Sequence, residues 1–183
     1  MLLKIMILLF PILENGDNMK LIAHRGLMDG PNKDLENRPE QIRLARELGV
    51  DCEIDLWVVN SELYLGHDEP TYPIHPEFLN DFGYWIHAKN LSALRWLTNT
   101  THNYFWHQND DFVITSHHWI WTFPGKELTQ RSVAVLPEWN DPNFKNLPST
   151  CYGICSDYVT RIALARQQNL IVDHDDVHHA NID

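Results

Sequence analysis

Short apolar runs alternate with polar, glycine-rich and proline-rich stretches along most of this chain. The runs contain many β-branched, aromatic and aliphatic residues, a pattern typical of strands that are buried on at least one face. Glycine, proline and asparagine mark loops at residues 28–34 and around Pro70, Pro73 and Pro76. The apolar runs predict strands at Lys20–Ala23, Val50–Val59, Leu63–Gly66, Tyr84–Ala88, Tyr104–His107, Phe112–Thr115, Ile120–Phe123, Val133–Leu136 and Gly153–Ser156.

Apolar residues at helical spacing predict three helices between or after these strands. The first is expected to have Asn37 as its N-cap, Pro39 in its first turn and Gly49 as its stop. The third is expected to end near Asn169. The apolar faces are Ile42, Ala45 and Leu48 in the first helix, Leu91, Leu94 and Leu97 in the second, and Ile162, Ala163 and Ala165 in the third.

Alternation of strands and helices predicts an α/β fold with a parallel sheet. Polar residues cluster where the predicted strands end, which is the side on which a (β/α) barrel carries its chemistry. The chain has 183 residues, whereas a full TIM barrel usually needs about 200 or more. We therefore expect a compact TIM-like (β/α)8 barrel in which some helices are short or missing, with an incomplete barrel as an open alternative.

The first 18 residues differ from the rest, because Met1–Leu13 is apolar with one lysine and is followed by a turn-like segment. Three interpretations are open: an extension upstream of a start at Met19, a signal or anchor sequence, or an element packed on the domain. Residues 19–183 are expected to form a single domain. Its expected location is cytoplasmic, or secreted or membrane-anchored if Met1–Leu13 acts as a signal.

The charge of the chain excludes one class of partner. Its formal net charge is −11, which opposes binding to nucleic acid, since that binding depends on a basic surface. A small phosphate ester in a local pocket is still compatible with this charge, and membrane contact is not indicated. Three cysteines give no disulfide framework and favour a reducing compartment.

The candidate chemistry lies between Leu21 and Asp68, where apolar runs end in charged residues. One run ends at His24 and Arg25, and another contains Glu53 and Asp55. Side chains two residues apart on a strand share a face, so these two carboxylates can bind a divalent cation together. A third run ends at His67. Two histidines and an arginine beside a cation form a site suited to a phosphodiester.

Four motifs occur in order in this stretch: HRG at 24–26, EN-x-P at 36–39, E-x-D at 53–55 and HD at 67–68. Together they resemble the glycerophosphodiester phosphodiesterase family, one of the PI-PLC-like phosphodiesterases, which are TIM barrels. The run GICSDYV at 153–159 is similar to the last strand of that family. The resemblance implies a phosphoric diester hydrolase that acts on a small-molecule phosphodiester.

The resemblance also implies a role for each matching residue. His24 and His67 would be the general base and acid, in an order that it leaves open. Arg25 and Lys89 would face the phosphate, and Asn37 would hydrogen-bond near the metal or the substrate. Glu53 and Asp55 would bind Mg²⁺ or Ca²⁺.

The chain departs from the family pattern at His87, which stands where the family usually has its third metal carboxylate. Histidine can ligate a divalent metal but suits Mn²⁺ or Zn²⁺ better than Ca²⁺. The metal site is therefore either altered or weak. The segment between His67 and His87 is also short for the family.

Two rival functions are open at this point. The first is a non-catalytic barrel that kept the motifs as a binding or scaffold protein, which His87 and the short chain favour. The second is a phospholipase-like enzyme that acts on lipid phosphodiesters, which an apolar lip on the pocket would favour. His107 ends a predicted strand and Asp157 follows another, and both are further candidates for the pocket.

Overall fold

The structure, a computed structural model, describes residues 19–166. Strands dominate, and the helices are few and short. The strands are β1 (Lys20–Ala23), β2 (Asp51–Val59), β3 (Glu62–Leu65), β4 (Tyr72–Ile74), β5 (Tyr84–Ala88), β6 (Tyr104–Phe105), β7 (Phe112–Ile114), β8 (Ile120–Thr122), β9 (Ser132–Val135) and β10 (Gly153–Ser156). The helices are α1 (Pro39–Glu47), α2 (Leu91–Leu97) and α3, whose described part is residues 159–166.

All ten strands belong to one curled sheet. Parallel pairing runs without interruption through β6, β5, β2, β1, β10, β9 and β8. The second half of β2 pairs antiparallel with β3, which pairs with β4, and β7 forms an antiparallel hairpin with β8. The carboxyl ends of the parallel strands therefore lie along one edge of the sheet.

The two faces of the sheet bury different sets of side chains. One face carries Cys52, Ile54 and Leu56 from β2 and packs on a large apolar cluster that includes Ile42 of α1 and Leu97 of α2. The other face carries a smaller cluster rich in aromatic rings. Its members are Ile22, Trp85, Phe105, Trp121, Val133, Val135, Leu136 and Cys155.

The sheet curls around this second, inner face. The ring of Phe105 in β6 stacks on the ring of Trp121 in β8 with centroids 4.7 Å apart. A backbone hydrogen bond of 2.8 Å from Ser116 N to Tyr104 O also links the segment after β7 to β6. Side chains from β6 and β8, the two ends of the parallel series, thus meet inside the curl of the sheet.

The structure confirms an α/β fold with a largely parallel sheet, but several local predictions are wrong. β7 pairs antiparallel at the end of the parallel series, and β4 occupies part of the proline-rich stretch predicted as a loop. Leu91 is exposed because the buried side of α2 is formed by Ala93 and Leu97. The N-cap of α1 is Arg38 and not Asn37, whose side chain is used elsewhere.

The predictions for Met1–Leu13 and for the end of α3 near Asn169 lie outside the described residues. None of the helices within residues 19–166 has the length and apolarity needed to span a bilayer. The three cysteines, Cys52, Cys151 and Cys155, are buried and free. The sequence had predicted no disulfide framework.

Candidate active site

Strand alternation brings the predicted metal ligands to the inner face. Glu53 and Asp55 lie two residues apart on β2, and the parallel register pairs Asp55 with His87 on β5. One ligand atom from each of Glu53, Asp55 and His87 lies within 4.8 Å of the other two. The two-residue spacing within β2 predicted that Glu53 and Asp55 share a face. The pairing of β2 with β5 places His87 beside them.

Asp55 is almost fully buried and is held on both of its oxygens. Oδ2 accepts a hydrogen bond of 2.8 Å from Asn37 Nδ2, and Oδ1 lies 3.3 Å from Lys89 Nζ. Asp55 N donates in return to Asn37 Oδ1 at 2.8 Å. Burial alone would raise the pKa of Asp55, but the hydrogen bond and charge of His87, together with Lys89 and Arg25, outweigh it and lower the pKa.

Asn37 is therefore the residue that fixes Asp55. Its backbone is left-handed, with φ of 58°, a conformation that asparagine tolerates better than most residues. Its side chain is fully buried, and both polar atoms are bonded to Asp55. This agrees with the expected hydrogen bond near the metal ligands, while contact between Asn37 and a phosphate stays a prediction.

His87 lies between a carbonyl and two carboxylates. Its Nε2 is 3.1 Å from the backbone oxygen of His107, and its Nδ1 is 3.0 Å from Asp55 Oδ1 and 4.0 Å from Glu53 Oε1. A carbonyl oxygen can only accept, so Nε2 carries the hydrogen. In the neutral ring, Nδ1 is then a hydrogen-bond acceptor that faces carboxylate oxygens. Acceptors repel each other unless a proton or a cation lies between them. The donor set therefore fits a divalent cation.

Glu53 connects this group to the HRG turn. Its Oε2 accepts a hydrogen bond of 3.1 Å from Arg25 N and lies 4.0 Å from His24 Nε2. Burial and the neighbouring charge of Asp55 raise the pKa of Glu53. Two buried carboxylates this close are stabilised by positive charge, and a bound cation would supply it.

His24 is oriented by the last strand. Its Nδ1 lies 2.8 Å from Asp157 Oδ1. Burial would lower the pKa of His24, but the hydrogen bond to Asp157 and the charge of Glu53 outweigh it, so the pKa is raised. Asp157 is in turn positioned by Glu138, whose Oε1 accepts from Asp157 N at 3.0 Å. Asp157 was a candidate from its place after a strand. Glu138 also comes shortly after a predicted strand but was not singled out.

Arg25 is held in a left-handed turn. Its φ is 51°, and Gly26 follows with φ of 77°. A Cβ on Gly26 would lie 2.9 Å from Ile42 Cγ1, so the turn packs too closely on α1 for a larger residue. Arg25 Nη1 donates to Glu36 Oε2 at 2.8 Å, which gives the EN-x-P motif a second function besides placing Asn37.

His67 follows β3 on a short turn and is partly exposed. Trp57 Nε1 donates to Gly66 O at 2.6 Å and fixes the start of this turn. His67 Nδ1 lies 2.7 Å from Asp68 Oδ1. Burial and the positive charge of Arg25 lower the pKa of His67, in contrast with the raised pKa of His24.

One cavity of about 670 Å³ joins these residues. It is lined by seven of the predicted site residues: His24, Arg25, Glu53, Asp55, His67, His87 and Lys89. Asn37 lies behind them. The lining also includes Asp157 and His107. An aromatic wall completes it, formed by Phe105, Trp106, Trp121, Phe123 and Trp139.

Comparisons of the chain with protein-family models, with curated proteins and with solved structures found no match. The resemblance to the glycerophosphodiester phosphodiesterase family therefore stays a prediction. The function has to be inferred from the geometry and charge of the cavity.

Proposed function

We propose that this protein is a metal-dependent phosphodiesterase that hydrolyses a small phosphodiester. One observation carries the proposal: two histidines with opposite pKa shifts, two cationic side chains and a group of three candidate metal ligands line the same cavity. Each of these features is common alone, but together they match the requirements of phosphoryl chemistry.

The positive charges would bind the phosphate. Arg25 and Lys89 each approach a different oxygen of Asp55, with Arg25 Nε 3.5 Å from Oδ2 and Lys89 Nζ 3.3 Å from Oδ1. Arg25 Nε is buried and makes no hydrogen bond among the described residues. A guanidinium and an ammonium in this arrangement can hold the non-bridging oxygens of a phosphodiester.

The histidines would transfer the protons. The raised pKa of His24 favours its protonated form, and the lowered pKa of His67 favours its neutral form. His67 would accept a proton from the attacking hydroxyl, which belongs to water or to a neighbouring alcohol of the substrate. His24 would donate a proton to the leaving alcohol as the bond from phosphorus to oxygen breaks. Environments that separate two pKa values are typical of acid–base pairs.

Glu53, Asp55 and His87 would hold Mg²⁺, Ca²⁺ or Mn²⁺. When bound, such a cation supplies charge neutralisation at the phosphate and polarises its oxygens. The imidazole in the set favours Mn²⁺ over Ca²⁺.

The topology supports a finer proposal for the fold, a reduced TIM-like barrel. Seven parallel strands follow one another in the order expected for such a barrel, and the candidate site lies at their carboxyl ends. β7, which pairs antiparallel with β8, would occupy the remaining arc between β8 and β6, where Phe105 stacks on Trp121.

A metal and substrate screen tests the proposed function. Purified protein, stripped with EDTA, would be assayed on bis(p-nitrophenyl) phosphate and on glycerophosphodiesters with Mg²⁺, Ca²⁺, Mn²⁺ and Zn²⁺ in turn. Metal-dependent release of alcohol supports the proposal. Binding of the esters without turnover under every metal would favour the non-catalytic barrel instead.

A further inference from the structure

The candidate cavity has two chemically different halves. Its charged residues follow or belong to β1, β2, β3, β5 and β10. The residues contributed by β6, β8, β9 and the segments after them are apolar apart from His107 and Gln108. They include Phe105, Trp106, Trp121, Phe123, Leu136 and Trp139. A substrate that uses the whole cavity must therefore be polar at one end and apolar at the other.

The apolar half extends from the interior to the surface. Phe105 and Trp121 are buried at its base, whereas Phe123 is 41% exposed and Trp139 is 63% exposed at its rim. The rings of Phe123 and Trp139 meet edge to face with centroids 6.2 Å apart. Aliphatic Val135 and Leu136 lie in the same wall. This is a continuous apolar path that begins beside the charged residues and ends in solvent.

Two large apolar side chains at the rim, Phe123 and Trp139, are in contact with solvent. Folded proteins rarely leave adjacent large apolar side chains in water without a function. Here the exposed side chains adjoin the cavity that holds the candidate catalytic groups.

We propose that the apolar half binds the long aliphatic chain of a single-chain phosphodiester lipid, whose phosphate lies against Arg25 and Lys89. This inference rests on the proposed phosphodiesterase function and names its substrate class. An aliphatic chain fits better than a compact head group because the path combines aliphatic with aromatic residues and opens to solvent. A glycerol diester would leave this whole wall in contact with water.

Chain length can be varied while the chemistry is held constant. The substrates are p-nitrophenyl alkyl phosphates with alkyl chains from ethyl to dodecyl, used below their micelle concentrations. In each, a bond forms from a water oxygen to phosphorus, the bond to the aryl oxygen breaks, and p-nitrophenolate leaves. Full burial of one methylene tightens binding by about fourfold. We expect KM to fall at least about tenfold from ethyl to dodecyl, since only part of the chain needs to be buried.

The variants compare Phe123→Ser/Trp139→Ser with Phe82→Ser as a matched control. Phe82 is 99% exposed and does not line the cavity. The double variant should lose most of the chain-length dependence of KM, and the control should keep it. Since Trp139 is mostly exposed and Phe123 is partly exposed, the double variant is expected to fold. Circular dichroism checks this, and the single variant Trp139→Ser gives a second measurement.

The outcomes separate the two proposals. If the wild type hydrolyses the ethyl ester with metal but its KM is independent of chain length, the lipid-chain proposal is wrong and the phosphodiesterase proposal stands. If the KM of the double variant depends on chain length as it does in the wild type, the proposal that this wall binds the aliphatic chain is also wrong. If no ester is hydrolysed with any metal, both proposals fail.

Discussion

His24 Nδ1 lies 2.8 Å from Asp157 Oδ1, although the two residues are 133 positions apart in the chain. The hydrogen bond joins the turn after β1 to the end of β10, and these strands are parallel neighbours in the sheet. It leaves Nε2 of His24 directed toward the side of Glu53. Residues that follow the first and the last described strands thus together orient the imidazole ring of His24, a candidate catalytic group.

Asp157→Asn should lower activity most strongly at alkaline pH. The hydrogen bond to Asp157 helps to raise the pKa of His24, so its loss lowers that pKa. If His24 acts as the acid, it must be protonated, and the alkaline limb of kcat/KM should move to lower pH. We expect a loss of about tenfold or more near pH 8.

The pH profile of kcat/KM on a glycerophosphodiester measures this effect, because an alkoxide leaving group needs the proton that His24 would donate, whereas p-nitrophenolate leaves without one. Asp29→Asn, which changes an exposed carboxylate, serves as the control. A uniform loss of activity with no movement of the alkaline limb would mean that Asp157 does not act through the protonation of His24.

Asn37→Ala should destabilise the fold. The change removes both hydrogen bonds to Asp55 and leaves a buried carboxylate oxygen with fewer partners. It also places alanine in the left-handed backbone of residue 37. We expect a loss of about 2–4 kcal/mol in the free energy of unfolding. Urea denaturation would measure it, with Asn99→Ala on the surface expected to change stability by less than about 0.5 kcal/mol. A loss as small as that of the control would mean that Asn37 does not support Asp55.

His87→Glu should change which metal binds. The substitution replaces a nitrogen donor by a third carboxylate, which increases the preference for hard oxygen-seeking ions. Wild-type protein should bind Mn²⁺ more tightly than Ca²⁺, and the variant should shift toward Mg²⁺ and Ca²⁺.

Isothermal titration calorimetry of each ion into both proteins tests the metal preference without any need for turnover. Identical metal preferences in the wild type and the variant would place His87 outside the metal site.

Much of the charged half of the cavity could be predicted from local sequence. Glu53 and Asp55 share a face because they lie two residues apart on a strand, and His24 and Lys89 were placed at strand ends by the apolar runs before them. These are short-range properties, so one sequence was sufficient to propose them.

Other features depend on contacts that local patterns do not contain. Asn37 was expected to cap α1 because asparagine commonly does so, but its pairing with Asp55 requires the loop to fold back onto β2. The aromatic wall depends on the curl that brings Phe105 of β6 onto Trp121 of β8. Leu91 matched a helical spacing, yet the side that α2 buries was decided by its packing on β2 and β5.

The central claim is that His24 and His67 act together on a phosphodiester in the metal-dependent cavity. Its most direct test is the steady-state kcat of wild type, His24→Ala and His67→Ala with saturating metal, alongside His75→Ala, which removes an exposed histidine outside the cavity. We predict that each of the first two variants loses about 10² or more in kcat while its melting temperature stays close to that of wild type, and that His75→Ala is unaffected. A near wild-type rate in either His24→Ala or His67→Ala would contradict the acid–base assignment.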